Sequence, residues 1–247
     1  MLFGSESFRD RVDLTDEEFF EKLGQASQLP TTSAPSPGEF AAVFERMSKD
    51  CSGCISIHIA GHLSGTAEAA RVGAESVPGF DVRVVDSRSV SMTIAFLCRV
   101  AAEAESLDAA LKAVEERVPR LRVVALLDTL RYVEMGGRVS RAQAMIGAML
   151  DLKPILGLAG GDGRINALDR VRTRSRAIPR MLDLMRADLP LESLAIMHAQ
   201  APEEADRIRA QVQTELPDLE VETGQIGCVL GTHTGPRALG LTYVKRT

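Results

Sequence analysis

The segment from Cys54 to Thr66 constrains the fold more than any other part of the chain. Cys54-Ile-Ser-Ile-His-Ile-Ala60 is dense in β-branched residues and reads as a strand. Gly61-His62-Leu63-Ser64-Gly65-Thr66 is a turn, and the alanine-rich stretch after it is a helix. Asp81–Asp86 reads as another short strand, followed by helices from about Ser91 to Glu105 and from about Leu107 to Val118. Strands joined through a helix lie parallel, and the crossovers cover the sheet with helices, so the predicted class is α/β. Two helices precede this unit. Thr15-Asp16-Glu17-Glu18 is a capping box with Phe19, Phe20 and Leu23 following at helical spacing. Ser36-Pro37-Gly38-Glu39 is a second one, with proline at the first helical position and Phe40, Val43, Phe44 and Met47 as its apolar stripe.

From Arg122 the pattern changes. Val123–Leu127 reads as a strand, Thr129–Met135 as a short helix stopped by Gly136-Gly137, and Ala142–Leu150 as a second helix. Leu152–Leu158 and Arg164–Val171 flank Gly160-Gly161-Asp162-Gly163, which is hairpin chemistry. A helix (about Ser175–Ala187), a strand (Ser193–His198), a helix (about Glu203–Leu216) and a strand (Leu219–Glu222) follow. An antiparallel pair within an α/β chain points to a second domain with a mixed sheet. The expected division is 1–120, a parallel-sheet α/β/α domain, and 121–247, a mixed-sheet α/β domain; 247 residues fit that against roughly 150 per domain. Charge agrees: residues 1–120 hold 12 basic and 19 acidic side chains, residues 121–247 hold 17 and 15, which places anion affinity on the second half.

The net charge of −5, the absence of tryptophan and the presence of only two tyrosines argue against a nucleic-acid binder. No apolar run approaches the roughly 18 residues of a membrane-spanning helix, so no stable membrane insertion is expected. Residues 1–10 carry Glu6 and Asp10 and no apolar leader, which makes the cytoplasm the expected location. Cys51-Ser-Gly-Cys54 has the spacing of a redox pair or half a metal site, but no second pair follows, and Cys98 reads as core. Four scattered histidines, His58, His62, His198 and His233, lack metal-ligand spacing.

Four segments carry candidate chemistry. The turn Gly61–Thr66 ends a strand and opens a helix, whose leading N–H groups and dipole favour an anion; Ser64 and Thr66 add hydroxyls, and Gly65 permits close approach. The competing reading makes Ser64 a helix cap. Pro30-Thr31-Thr32-Ser33-Ala34-Pro35 sets three hydroxyls in a stiffened loop, either an ordinary turn or a second set of donors. Gly231-Thr232-His233-Thr234-Gly235-Pro236 surrounds one histidine with glycine and hydroxyl residues. Arg164, Arg170, Arg172, Arg174, Arg176 and Arg180 face a single acid, Asp169, in the same stretch, and Arg138 follows Gly136-Gly137; Arg170 and Arg172 share one strand face. Such a run is a solvated face or a seat for an anionic partner.

Thr32-Ser-Ala-Pro-Ser-Pro-Gly-Glu-Phe40, Leu63-Ser-Gly-Thr66, Val85-Asp-Ser87, Gly136-Gly-Arg138, Leu152-Lys-Pro-Ile-Leu156 and His233-Thr-Gly-Pro236, taken in order, resemble the DegV family of bacterial fatty-acid-binding proteins. The resemblance covers nearly the whole chain. It implies two α/β domains with a long-chain fatty acid, such as palmitate or oleate, between them. Its carboxylate contacts fall on Thr32, Ser64 and His233, with Ser33, Gly65 and Thr66 as loop support. It also implies no cofactor and a separate fatty-acid kinase that makes the acyl-phosphate, with Arg138, Arg170 and Arg172 as candidate kinase or phosphate contacts. The protein would then carry its ligand without catalysing. The family opens with a strand bearing an Asp-Ser motif and a second strand; this chain starts after them, so its first sheet is expected to lack its first strands. Ala60-Gly61 stands where paired serines are common, Ala34 where glutamine is, and Arg237 where glycine is.

Burying about fifteen methylenes at ~0.8 kcal/mol each yields roughly 12 kcal/mol gross, so the tail is expected to set affinity and the head site orientation. Nine methionines and eight phenylalanines offer an adaptable tunnel lining or plain core. Two other readings stand beside the carrier: an acyl or phosphoryl transferase using Ser64 or His233, and a regulatory nucleic-acid-binding module using the run Arg164–Arg180.

Overall fold

A computed structural model describes residues 1–138, 152–159 and 161–247. The chain divides into two compact units. The larger comprises Met1–Ser33, Arg122–Leu158 and Ile165–Thr247, and the smaller Ala34–Leu121 with Ala159–Arg164. The expected assignment of residues 1–33 to the strand–helix half is therefore corrected: they belong with the C-terminal half. The reason is apolar packing. Strands β1 (Leu2–Phe3) and β2 (Glu6–Ser7) form a short antiparallel pair, and helix α1 (Asp16–Gln25) follows. The rings of Phe8, Phe3, Phe19 and Phe20, in that order, meet edge to face in succession. Phe19 and Phe20 also close on Gly231, where a Cβ would come within 2.8 Å of the Phe20 ring. Both predicted capping boxes form: Thr15 Oγ1 accepts from the Glu18 N–H, and the Glu18 carboxylate accepts from the Thr15 N–H.

In the smaller unit, helix α2 (Pro37–Met47) is capped the same way by Ser36 and Glu39. Ser36→Ala removes that cap and is expected to cost about 1 kcal/mol, read as a lower denaturant midpoint. Strand β3 (Gly53–His58), helix α3 (Thr66–Glu75) and strand β4 (Asp81–Asp86) form the predicted parallel unit, in register from Gly53↔Asp81 to His58↔Asp86. Helices α4 (Met92–Ala102) and α5 (Leu107–Arg117) follow. Phe44, Cys54, Ala70, Val77 and Phe80 make the core between α2, α3 and the sheet. Among the described residues β3 pairs only with β4. Ile55 and Ile57 are half-buried and line an open groove of about 490 Å³ with Ala101, Leu107 and Ala110. Cys98, expected in the core, is exposed, because α4 turns Thr93, Phe96 and Leu97 inward instead.

The larger unit continues with β5 (Leu121–Leu126), α6 (Arg131–Met135), β6 (Lys153–Ala159), β7 (Asn166–Val171), α7 (Arg174–Arg186), β8 (Leu191–His198), α8 (Pro202–Glu215), β9 (Val221–Gln225), α9 (Cys228–Thr234) and β10 (Leu239–Lys245). The described strands form a six-stranded sheet in the order β7-β6-β5-β10-β8-β9. It is mixed, as predicted: β6–β7 and β8–β10 are antiparallel and β8–β9 parallel. The expected helix Ala142–Leu150 and Gly160 of the hairpin lie outside the described residues. Met181, Leu182 and Met185 of α7 and Ile208 and Val212 of α8 bury against Leu194, Ile196, Leu241 and Tyr243. Several methionines and phenylalanines offered as tunnel lining are thus core. No helix among the described residues is long and apolar enough to cross a membrane.

Candidate ligand-binding site

Thr32 and His233 meet within the larger unit. The Thr32 backbone is fixed by its neighbour, since Thr31 and Leu2 exchange two N–H···O bonds of 2.8 and 3.0 Å. His233 sits in the last turn of α9. The flanking hydroxyls are spent inside that helix, Thr232 donating to the Cys228 carbonyl and Thr234 to that of Leu230. The imidazole Nε2 stands 3.1 Å from the Thr32 hydroxyl. Its Nδ1 is buried with no hydrogen-bond partner among the described residues. Helix α6 closes over α9: Gly136 lies against the imidazole, and the Tyr132 ring covers Gly235.

Burial pushes the His233 pKa down to about 4, and the positive charge of Arg138 acts in the same direction. His233 is therefore neutral at pH 7 and acts as a hydrogen-bonding group rather than a cation. The folded value lies below the ordinary 6.5, so between about 6.5 and 4 the unfolded chain binds more protons and stability falls as pH falls. His58 and His198 are lowered by burial in the same sense. His233→Gln is expected to lose less stability than the parent across that window in pH-dependent unfolding. Parallel curves would show that His233 does not titrate this way.

Ser64 lies in the smaller unit, between β3 and α3. The turn is tied down by Ala60, which donates to the Ser89 carbonyl at 2.9 Å, and by the Gly61 N–H, which donates to Asp86 at 3.1 Å. The capping alternative for Ser64 fails: Gly65 is the N-cap residue, and no side chain caps α3. The Ser64 hydroxyl instead pairs with that of Thr66 at 2.7 Å. Two hydroxyls thus stand together at an uncapped helix start, where the backbone favours negative charge. Ser33 and Gly65 are exposed.

Of the basic residues, Arg138 is half-buried, donates to the Gly136 carbonyl at 2.5 Å and bears on His233. Arg170 and Arg172 are exposed on and just past β7, at an edge of the sheet. Part of the remaining basic run is neutralised, both by Asp169 within the stretch and by acids distant in sequence. Arg174 is held by Glu204 at 2.8 Å and lies 3.6 Å from Asp128, while Arg180 pairs with Asp169. Asp10, Asp16 and Cys228 bring possible metal-ligating atoms within 4.8 Å of one another. Burial and the two carboxylates push the Cys228 thiol up to about 12, and Arg11 already pairs with Asp16 at 3.2 Å. Sequence reasoning missed the packing of Gly136 and Tyr132 against α9; the glycine pair before Arg138 was read as a helix stop and as a family motif, not as space for the imidazole.

The larger unit thus holds a threonine hydroxyl beside a neutral imidazole, and the smaller unit two hydroxyls at an uncapped helix start, in a chain of the α/β class. A family model described as "Uncharacterised protein, DegV family" matches residues 1–246. Protein DegV of Bacillus subtilis is 34% identical over 253 residues, covering 98% of this chain and 89% of its own. The crystal structure of DegV from Bacillus subtilis, described as a fatty acid binding protein, aligns with a TM-score of 0.89 at 33% identity, over 99% of this chain and 89% of that one. A Thermus thermophilus DegV-family structure, described by its fatty acid binding, aligns with a TM-score of 0.87 at 30% identity, over 97% and 87%. The chain belongs to the DegV family.

Proposed function

We propose that this protein binds a long-chain fatty acid and presents its carboxylate to a separate fatty-acid kinase for acyl-phosphate formation. The observation that carries the reading is the Thr32–His233 pair, a hydroxyl backed by a neutral, buried imidazole at 3.1 Å. The fatty-acid binding described for the two related structures supports the ligand class. Thr32 and Ser64 donate to the carboxylate, His233 supports Thr32, and the start of α3 supplies favourable backbone charge. Each charge-assisted hydrogen bond contributes about 1.5–3 kcal/mol, and the buried tail contributes most of the affinity. The transferase reading draws no support from His233: burial and Arg138 make it a weak base, whereas a catalytic histidine is normally oriented by a carboxylate.

Calorimetry with oleate and with methyl oleate tests the head group. The acid is expected to bind about tenfold or more tightly, because the ester offers no charge to the donors. Equal affinities would contradict a carboxylate site. For the kinase step, exposed Arg170 and Arg172 are the proposed contacts, together with Arg138. Charge reversal of Arg170 and Arg172 is expected to impair phosphorylation of bound fatty acid while leaving its binding nearly intact; equal loss of both would make these residues structural or ligand-binding.

A further inference from the structure

Gly136 and Gly137 end α6 for different reasons. Gly137 has φ of +70°, a conformation that favours glycine. Gly136 has φ −73° and ψ −9°, ordinary helical backbone open to any residue but proline. What requires glycine there is space. A Cβ on Gly136 would overlap Nδ1 of His233 and stand 3.0 Å from its Cε1.

The contact bears on which ring nitrogen carries the proton. A neutral imidazole has one N–H. On Nδ1 it would be a buried donor with no acceptor among the described residues. On Nε2 it donates to Thr32 Oγ1, 3.1 Å away. The unprotonated Nδ1 then faces the Gly136 backbone. With Thr32 Oγ1 accepting from the ring, the threonine's own hydrogen turns away from His233 and is available to an acceptor.

We infer that Gly136 is a positioning residue: its missing side chain seats the His233 imidazole as the Nε2–H tautomer, and so presents the Thr32 hydroxyl as a donor. The inference rests on the reading of Thr32 and His233 as head-group residues.

Three variants and one spectrum test it. Gly136→Ala is expected to weaken oleate binding about tenfold, the loss of one oriented hydrogen bond. In the His233→Ala background the same substitution is expected to change affinity by less than about twofold, because the partner it displaces is gone. Equal losses in both backgrounds would overturn the inference. Gly38→Ala, where a Cβ meets nothing within 4 Å, is the control and is expected to bind normally. If Gly136→Ala fails to fold, the double variant is expected to fold, and its failure would also overturn the inference. In ligand-free protein, ¹⁵N NMR of labelled histidine is expected to show His233 protonated at Nε2, with that signature lost in Gly136→Ala. An unchanged spectrum, or Nδ1 protonation in the parent, contradicts the positioning role whether or not fatty acid binds. Full oleate affinity in His233→Ala would instead defeat the head-group reading, leaving the spectrum to decide the role of Gly136.

Discussion

Gly235→Ala is expected to destabilise the protein by about 2–6 kcal/mol. The residue has φ +72° and ψ 177°, a region essentially closed to side-chain-bearing residues, costing ~1–3 kcal/mol. A Cβ there would also overlap the Tyr132 ring, and forcing atoms into an occupied core typically costs a further ~1–3 kcal/mol. Against a total stability of about 5–15 kcal/mol, such a loss is a large fraction of what holds the fold. Urea denaturation reads it as a lower midpoint with an unchanged slope. Tyr132→Ala in the same background is expected to recover the steric part alone. A loss below about 1 kcal/mol would contradict the packing of α6 on α9, and with it the seat of His233.

Thr32→Ala combined with Ser64→Ala is expected to weaken fatty-acid binding by two to four orders of magnitude. Each hydroxyl contributes about 1.5–3 kcal/mol to a charged acceptor, and 1.4 kcal/mol is about a factor of ten. Folding is expected to survive, since Thr32 is half-buried and its hydroxyl, among the described residues, bonds His233 alone, and the Ser64 hydroxyl meets Thr66 rather than the backbone of α3. Titration of a fluorescent fatty acid measures the change and a thermal melt checks the fold. A loss under about fivefold with the fold intact would move the head group elsewhere.

Much of the fold was legible because local and global signals agree. The capping boxes at Thr15 and Ser36, the β-branched run of β3 and the glycine-rich hairpin after β6 each announce their element. Strand β10 was not read, although it lies between β5 and β8. Its residues Leu239 to Val244 are buried on both faces, so period-two alternation, the usual strand signal, is absent. Helix α9 is hidden as well: Gly231 and three hydroxyl- or imidazole-bearing residues carry no apolar helical pattern, yet Gly231 is what lets the Phe19 and Phe20 rings approach. That contact also explains why residues 1–33 fold with the C-terminal half, a long-range pairing no local pattern encodes. At the site, the hydroxyls and His233 stood out by residue type. The burial that neutralises His233 and the space left by Gly136 depend on α6 meeting α9, which only the fold reveals.

Mass spectrometry of the intact protein purified from a bacterial host, with analysis of the lipid extracted from it, tests the central reading most directly. The expected result is one long-chain fatty acid per chain, detected as a non-covalent adduct, released by denaturation and absent from Thr32→Ala/Ser64→Ala. Ligand-free protein that also takes up neither palmitate nor oleate when these are added would contradict it.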